Sequence, residues 1–174
     1  MEGLENKGIA ACDLTETNLS EANLSGAKVI NADLSLADLT GTDLSFADLA
    51  GVDFFYANLT DSDLADAVMW GVGSGYMTGT PSVLPARWSL INGSLIGPSA
   101  NLWFAELVNQ DLTGVDLTGA DLTGADLTGA DLTETDQLDH VPVHPAPCTA
   151  YRVHRPPPCT LRSVHRTLLA APLH

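Results

Sequence analysis

The chain has 174 residues, of which 45% are hydrophobic and 6% aromatic, and its formal net charge is −15. Such an acidic surface repels nucleic acid and anionic membranes, so we expect no direct nucleic-acid or membrane partner and a preference for basic protein surfaces. No stretch approaches the roughly 20 apolar residues of a membrane span, and no basic segment followed by an apolar run opens the chain, which favours a cytoplasmic protein.

The first elements are a short N-terminal cap and a repeat block. Residues 1–11 are predicted to form the cap, with Leu4 and Ile9 as its apolar contacts. Residues 12–69 repeat a five-residue phrase: a small residue, Asp or Asn, Leu, Ser or Thr, and a variable residue. A repeat of this kind predicts stacked units that bury a shared core.

The period of five excludes a plain helix and a flat strand. It would scatter the leucines around a helix, and it would place successive leucines on opposite faces of a strand. Within one phrase, however, Ala32 and Leu34 share a face and Asp33 points away. Each phrase therefore predicts a three-residue strand followed by a corner, where glycine is common because it accepts unusual backbone dihedrals.

The repeat stops after Met69, and Leu102 resumes it out of register with Leu64. We therefore interpret residues 70–99 as an insertion. Asn92-Gly93 lies between two short apolar runs, which predicts a β-hairpin. Two roles stay open for this segment: a packed structural module, or a partner-binding loop carrying Trp70, Tyr76, Arg87 and Trp88.

A second repeat block, residues 100–137, precedes a tail of different composition, residues 138–174. The tail is rich in proline, histidine and arginine, and we expect it to be largely disordered. A short amphipathic helix is the alternative, since apolar residues recur at helical spacing from Leu161 to Leu169. The histidines and cysteines of the tail match no zinc-site spacing, so no metal or cofactor is predicted.

The phrases resemble the consensus A(D/N)LXX of the pentapeptide-repeat proteins. The match covers the central apolar positions of both blocks: Leu14, Leu19, Leu24, Val29, Leu34, Leu39, Leu44, Leu49, Phe54, Leu59, Leu64 and Met69, then Leu102, Leu107, Leu112, Leu117, Leu122, Leu127 and Leu132. The resemblance implies an all-β fold, a right-handed quadrilateral parallel β-helix with four phrases per coil.

Several large apolar residues occupy positions that this fold turns outward, and they form a candidate interaction patch: Leu36, Phe46, Phe55, Tyr56, Trp103 and Phe104. With four phrases per coil, Leu36 and Tyr56 would lie one above the other. An apolar surface stripe of this kind often marks an interface. The alternative is that the rings fold back over the corners or lie beneath the insertion.

The outward Asp positions predict acidic faces on the stack, represented by Asp33, Asp43, Asp53, Asp63, Asp111, Asp121 and Asp131. Repeated, solvated carboxylates lack the cleft that acid–base catalysis needs, so we expect no enzyme and no catalytic residues. They suit the binding of a basic partner, or they simply keep a β-stack soluble.

The sequence thus favours a non-enzymatic scaffold that binds a protein partner in an undefined biological role, with a homodimer as one arrangement. The alternative is an acidic DNA mimic that modulates a DNA-handling enzyme such as gyrase, as the resemblance to the quinolone-resistance class of pentapeptide-repeat proteins implies. The interruption at residues 70–99 and the basic tail argue against that alternative.

Overall fold

The computed structural model describes residues 9–135. Most of the predicted cap, including Leu4, and the whole of the predicted tail lie outside the described residues. Within residues 9–135, no helix is long and apolar enough to cross a membrane.

The backbone forms a ladder of parallel bridges between residues twenty positions apart. Four such columns begin at Asp13, Asn18, Asn23 and Lys28, which pair with Asp33, Asp38, Asp43 and Asp48. Twenty residues, or four phrases, therefore make one coil, and each phrase supplies one side. We number the sides face 1 (residues 13, 33, 53), face 2 (18, 38, 58), face 3 (23, 43, 63) and face 4 (28, 48, 68). The predicted quadrilateral parallel β-helix is confirmed.

The core is a narrow column of the central apolar residues. Leu34, Leu39, Phe54 and Leu59 are completely buried, and small residues such as Ala57 fill the space between them. Each buried leucine contributes about 1.5–3 kcal/mol through removal of its side chain from water. The first cluster of core residues runs from Leu24 to Leu95, and the second runs from Ile96 to Leu132.

The ladder also satisfies the backbone polar groups between coils. Leu34 donates its N–H to the carbonyl of Asp53 at 2.8 Å, and Asp53 donates its N–H to the carbonyl of Ala32 at 3.1 Å. At each corner the outward Asp accepts the N–H of the residue two positions on, as Asp43 Oδ1 does from Ser45 at 2.9 Å. These aspartates therefore stabilise the corners besides carrying charge.

Residues 70–83 continue the ladder, which differs from the expectation that the insertion begins at residue 70. Gly73, Thr78 and Val83 pair with Asp53, Asn58 and Asp63, so three more phrase positions are present. Gly73 then pairs with Asn101, 28 residues on instead of twenty. This coil thus contains eight extra residues. The pattern is hidden because Ser74 takes a central position usually held by leucine.

The predicted hairpin is present and replaces the missing core residues. Strand β1, Ser89–Ile91, pairs antiparallel with β2, Ser94–Ile96, through a turn at Asn92 and Gly93 with φ of 48° and 71°. Positive φ at both turn residues is the preferred geometry of a two-residue hairpin. All three residues of β2 are buried. Leu95 donates its N–H to Ser74 Oγ at 2.8 Å, so the hairpin closes the core beside that serine.

Candidate interaction surface

A row of exposed apolar side chains follows one corner of the stack, between faces 1 and 2. Leu36, Tyr56, Tyr76 and Phe104 take the same corner position in successive coils, and they are 51%, 53%, 52% and 64% exposed. The spacing is twenty residues twice and then 28, because the eight extra residues separate Tyr76 from Phe104. We call these four residues the aromatic ridge.

The rings of the ridge pack against their neighbours. Tyr56 and Tyr76 stack with ring centroids 5.1 Å apart and planes inclined by 10°. Phe104 contacts Trp103 with centroids 4.8 Å apart, and it lies across Gly124 so closely that a Cβ there would be 2.7 Å from the ring. The ridge therefore has a stacked ring pair at its centre, and its last ring packs against its own coil and the coil beyond.

Gly75 forms a notch beside the ridge. It lies between Phe55 and Trp103, the residues at the equivalent position in the coils on either side. Phe55 is half-buried because its ring lies over Gly75, where an added Cβ would be 2.8 Å from Phe55 Cε1. The cavity here has a volume of about 30 Å³, enough for a few water molecules at most. It suits one small side chain of a partner better than a substrate or cofactor.

The six residues of the predicted patch do not form one surface. Leu36, Tyr56, Trp103 and Phe104 lie together at the ridge, with Phe55 partly covered at its base. Phe46 is 65% exposed but lies on the diagonally opposite corner, between faces 3 and 4. The prediction that Leu36 and Tyr56 lie one above the other is confirmed, because Asp33 and Asp38 pair with Asp53 and Asn58 twenty residues on.

Tyr76 lies outside the predicted patch and belongs instead to the predicted partner-binding loop. The twenty-residue period that relates Leu36 to Tyr56 also relates Tyr56 to Tyr76, and it places Tyr76 on the ridge. Of the other loop residues, Trp70 is 70% exposed at the corner between faces 4 and 1, and Trp88 packs against both core clusters.

Arg87 holds the insertion to the coil that follows. Its guanidinium forms an ion pair with Asp116, whose side chain is only 5% exposed, and Asp116 Oδ1 also accepts the N–H of Thr118 at 2.9 Å. Arg87 itself stays 59% exposed. An unpaired buried carboxylate would be costly, so Arg87 and Trp88 have structural roles in the insertion.

The predicted acidic residues lie on two opposite faces of the stack. Face 1 carries Asp33, Asp53 and Asp121, and face 3 carries Asp43, Asp63, Asp111 and Asp131. Their electrostatic environments differ. Hydrogen bonds from the Thr123 side chain and N–H lower the pKa of Asp121. Burial raises the pKa of Asp53, with a smaller contribution from the charge of Asp33. Within residues 9–135, no group of His, Cys, Asp or Glu side chains is arranged to hold a metal ion.

Comparison with solved structures gives several matches of low structural similarity. The pentapeptide repeat protein Rfr23 of the cyanobacterium Cyanothece 51142 is 26% identical over 74% of this chain and 86% of its own, with a TM-score of 0.37. A pentapeptide repeat protein of the Arabidopsis thaliana thylakoid lumen is 20% identical over 76% and 69%, with a TM-score of 0.32. QnrB1, a plasmid-mediated fluoroquinolone resistance protein, is 16% identical over 93% and 99%, with a TM-score of 0.41.

The family assignment comes from the repeats themselves. A comparison with curated proteins gives no match. The sequence model of pentapeptide repeats matches eight copies, at residues 10–41, 32–71 and 99–136, which together cover more than half of the chain. The chain therefore belongs to the pentapeptide repeat family, whose members fold as right-handed β-helices.

Proposed function

We propose that this protein is a non-enzymatic, cytoplasmic scaffold that binds a protein partner through the aromatic ridge. The observation that carries the proposal is the exposure of four large apolar side chains at the same corner of successive coils. A large contiguous apolar patch on a protein surface often marks a protein–protein interface. The notch at Gly75 adds a recess at the side of this row.

The backbone of the ridge supports the same proposal. Leu36, Tyr56, Tyr76 and Phe104 have φ between 54° and 61°. A side chain with a Cβ costs on the order of 1 kcal/mol in this conformation, whereas glycine adopts it without steric cost. Glycine holds the same corner at Gly124 with φ of 75°. Glu16 takes this corner in the first coil with φ of 59°, so the fold does not require large apolar residues on the ridge.

The test is affinity capture with chemical cross-linking from a lysate of the organism that encodes the chain. The unchanged chain is compared with the Tyr56→Ser/Tyr76→Ser double variant and with Phe46→Ser, a matched control on the opposite corner. We expect one protein to cross-link at the ridge, to be lost with the double variant and to be retained with the control. Equal capture by all three chains would refute the ridge as the binding site.

The acidic columns of faces 1 and 3 favour a second candidate, a DNA mimic that binds a basic DNA-handling enzyme such as gyrase. Between residues 9 and 135, eighteen Asp and Glu residues oppose only Lys28 and Arg87. The test is inhibition of gyrase supercoiling by the full chain at low and moderate salt. Inhibition near the enzyme concentration that weakens with salt would support this candidate, because screening removes the attraction. No inhibition at large excess would reject it.

A further inference from the structure

We infer that the ridge binds an amphipathic helix of another protein, with an apolar stripe bordered by lysine or arginine. This inference rests on the proposed function and specifies the chemistry of the partner. The observations that carry it are the charges on both sides of the ridge, the spacing of its side chains and the recess at Gly75.

Carboxylates border the ridge on both sides. Face 1 presents Asp33 and Asp53 on one side of the ridge, and face 2 presents Asp38 and Glu106 on the other. Asp121 and Asp126 follow in the next coil, beside Gly124. Glu106 lies close enough to Tyr76 for its charge to raise the pKa of that phenol. An apolar row between two acidic columns complements a partner with an apolar stripe between two basic rows. Exposed aromatic rings also attract Lys and Arg directly through cation–π contacts.

The same charges disfavour the ridge of a second copy of this chain as the occupant. Two ridges brought together would place acidic columns against acidic columns, and like charges in an interface oppose association. Neither basic residue of the described part borders the ridge: Lys28 lies on face 4, and Arg87 is paired with Asp116.

The spacing of the ridge favours a helix over an extended peptide. Adjacent coils are about 4.8 Å apart, so the ridge spans about 14 Å from Leu36 to Phe104. Anchors on one side of a helix recur every three or four residues, or about 4.5–6 Å. Side chains on one side of a strand recur every 6.6–6.8 Å, so each successive side chain would lie nearly 2 Å further from the matching ridge residue. About ten helical residues would cover the whole ridge.

The probe that tests this inference is a fluorescein-labelled 14-residue peptide of leucine and lysine, with its leucines at heptad positions on one side. A peptide of the same composition in scrambled order has the same charge but no apolar stripe. Affinity for the full chain is measured by fluorescence anisotropy at low and moderate salt. We expect the patterned peptide to bind at least tenfold more tightly than the scrambled one, and salt to weaken binding.

The Tyr56→Ser/Tyr76→Ser variant should bind the patterned peptide at least tenfold more weakly, while Phe46→Ser should stay within twofold of the unchanged chain. The three residues are similarly exposed and have φ between 54° and 60°, so each individual substitution has a similar backbone cost. Equal binding of both peptides, or no loss with the double variant, would overturn the inference. Self-association of the unchanged chain that the double variant abolishes would overturn it too, because a second copy would then be the occupant.

A measurement on the unchanged chain avoids any effect of substitution on folding. Addition of the patterned peptide to isotopically labelled protein should shift the backbone amide signals of the four ridge residues and of Gly75. Shifts confined to faces 3 and 4 would overturn the inference. Failure of the inference can be distinguished from failure of the proposed function. A natural partner that cross-links to the ridge but has no basic amphipathic helix would support the proposed function and would overturn only the inference about the helix.

Discussion

Removal of Arg87 tests whether its ion pair with Asp116 fixes the insertion to the coils. Asp116 Oδ1 retains the N–H of Thr118 in the variant Arg87→Ala, but Oδ2 loses its partner while the side chain is only 5% exposed. A buried polar atom left without a partner costs about 1–3 kcal/mol. The exposed guanidinium is screened by solvent, which favours the lower half of that range. A loss of this size corresponds to a fall of about 2–8 °C in Tm for a chain of this length.

The assay is thermal unfolding at neutral pH followed by circular dichroism, with Asp116→Asn as the second arm of a double-mutant cycle. Asparagine removes the buried charge, so the double variant should be more stable than Arg87→Ala alone. Amide exchange in β1 and β2 should accelerate in Arg87→Ala if the ion pair anchors the hairpin. Refutation would come from additive effects of the two substitutions, or from an unchanged Tm in Arg87→Ala.

Three further sets of substitutions test the core, the turn and the acidic faces. Leu34→Ala should cost about 2–5 kcal/mol in chemical unfolding, because the side chain is fully buried and the ladder prevents collapse; a loss below 1 kcal/mol would contradict a rigid core. Gly93→Ala should lower Tm more than Gly26→Ala, since both have positive φ but only a Cβ at Gly93 would meet the Met77 backbone, at 3.1 Å; equal losses would rule out that contact. Asp53→Asn should raise stability at neutral pH. Burial raises the folded-state pKa of Asp53 above the ordinary value of 3.8, so the free energy of unfolding of the unchanged chain increases as pH falls through that pKa. Asp121→Asn should lower stability at neutral pH. Its lowered pKa gives stability that is present above 3.8 and lost as pH falls through the folded-state pKa. If the two Asp variants change the pH dependence of the free energy of unfolding in the same direction, the opposite environments of Asp53 and Asp121 are refuted.

The sequence was sufficient for the repeating part of the fold because each phrase has the same side-chain requirement. The central position of Leu34 or Leu59 accepts only an apolar residue, and the corner requires positive φ, so the period appears directly in the amino acids. The hairpin was predictable for the same kind of reason, since Asn92 and Gly93 adopt the backbone conformation that a two-residue turn requires.

The continuation of the coil through residue 83 was not predictable from the repeat pattern. Ser74 holds a central position, and the apolar side chains that close the core come from Leu95 and Ile96, some twenty residues further along. A scan that expects leucine at position 74 therefore finds only a break. The backbone ladder needs no particular side chain, so Gly73 and Thr78 remain in register although neither matches the Asp or Asn of the repeat consensus.

The extent of the ridge depends on this hidden register. A break at Met69 would leave Leu36 and Tyr56 as a short apolar stripe, with Trp103 and Phe104 on an unrelated block. Because the ladder continues and the eight extra residues loop out after Val83, Tyr76 and Phe104 return to the corner that Tyr56 occupies. The insertion thus adds its length without shifting the faces that follow it. Addition or deletion of one residue between Val83 and Ser89 should therefore be tolerated better than the same change between Tyr56 and Tyr76. The first displaces Arg87 and Trp88 but leaves the ladder in register, whereas the second breaks the ladder and the stacked pair of Tyr56 and Tyr76.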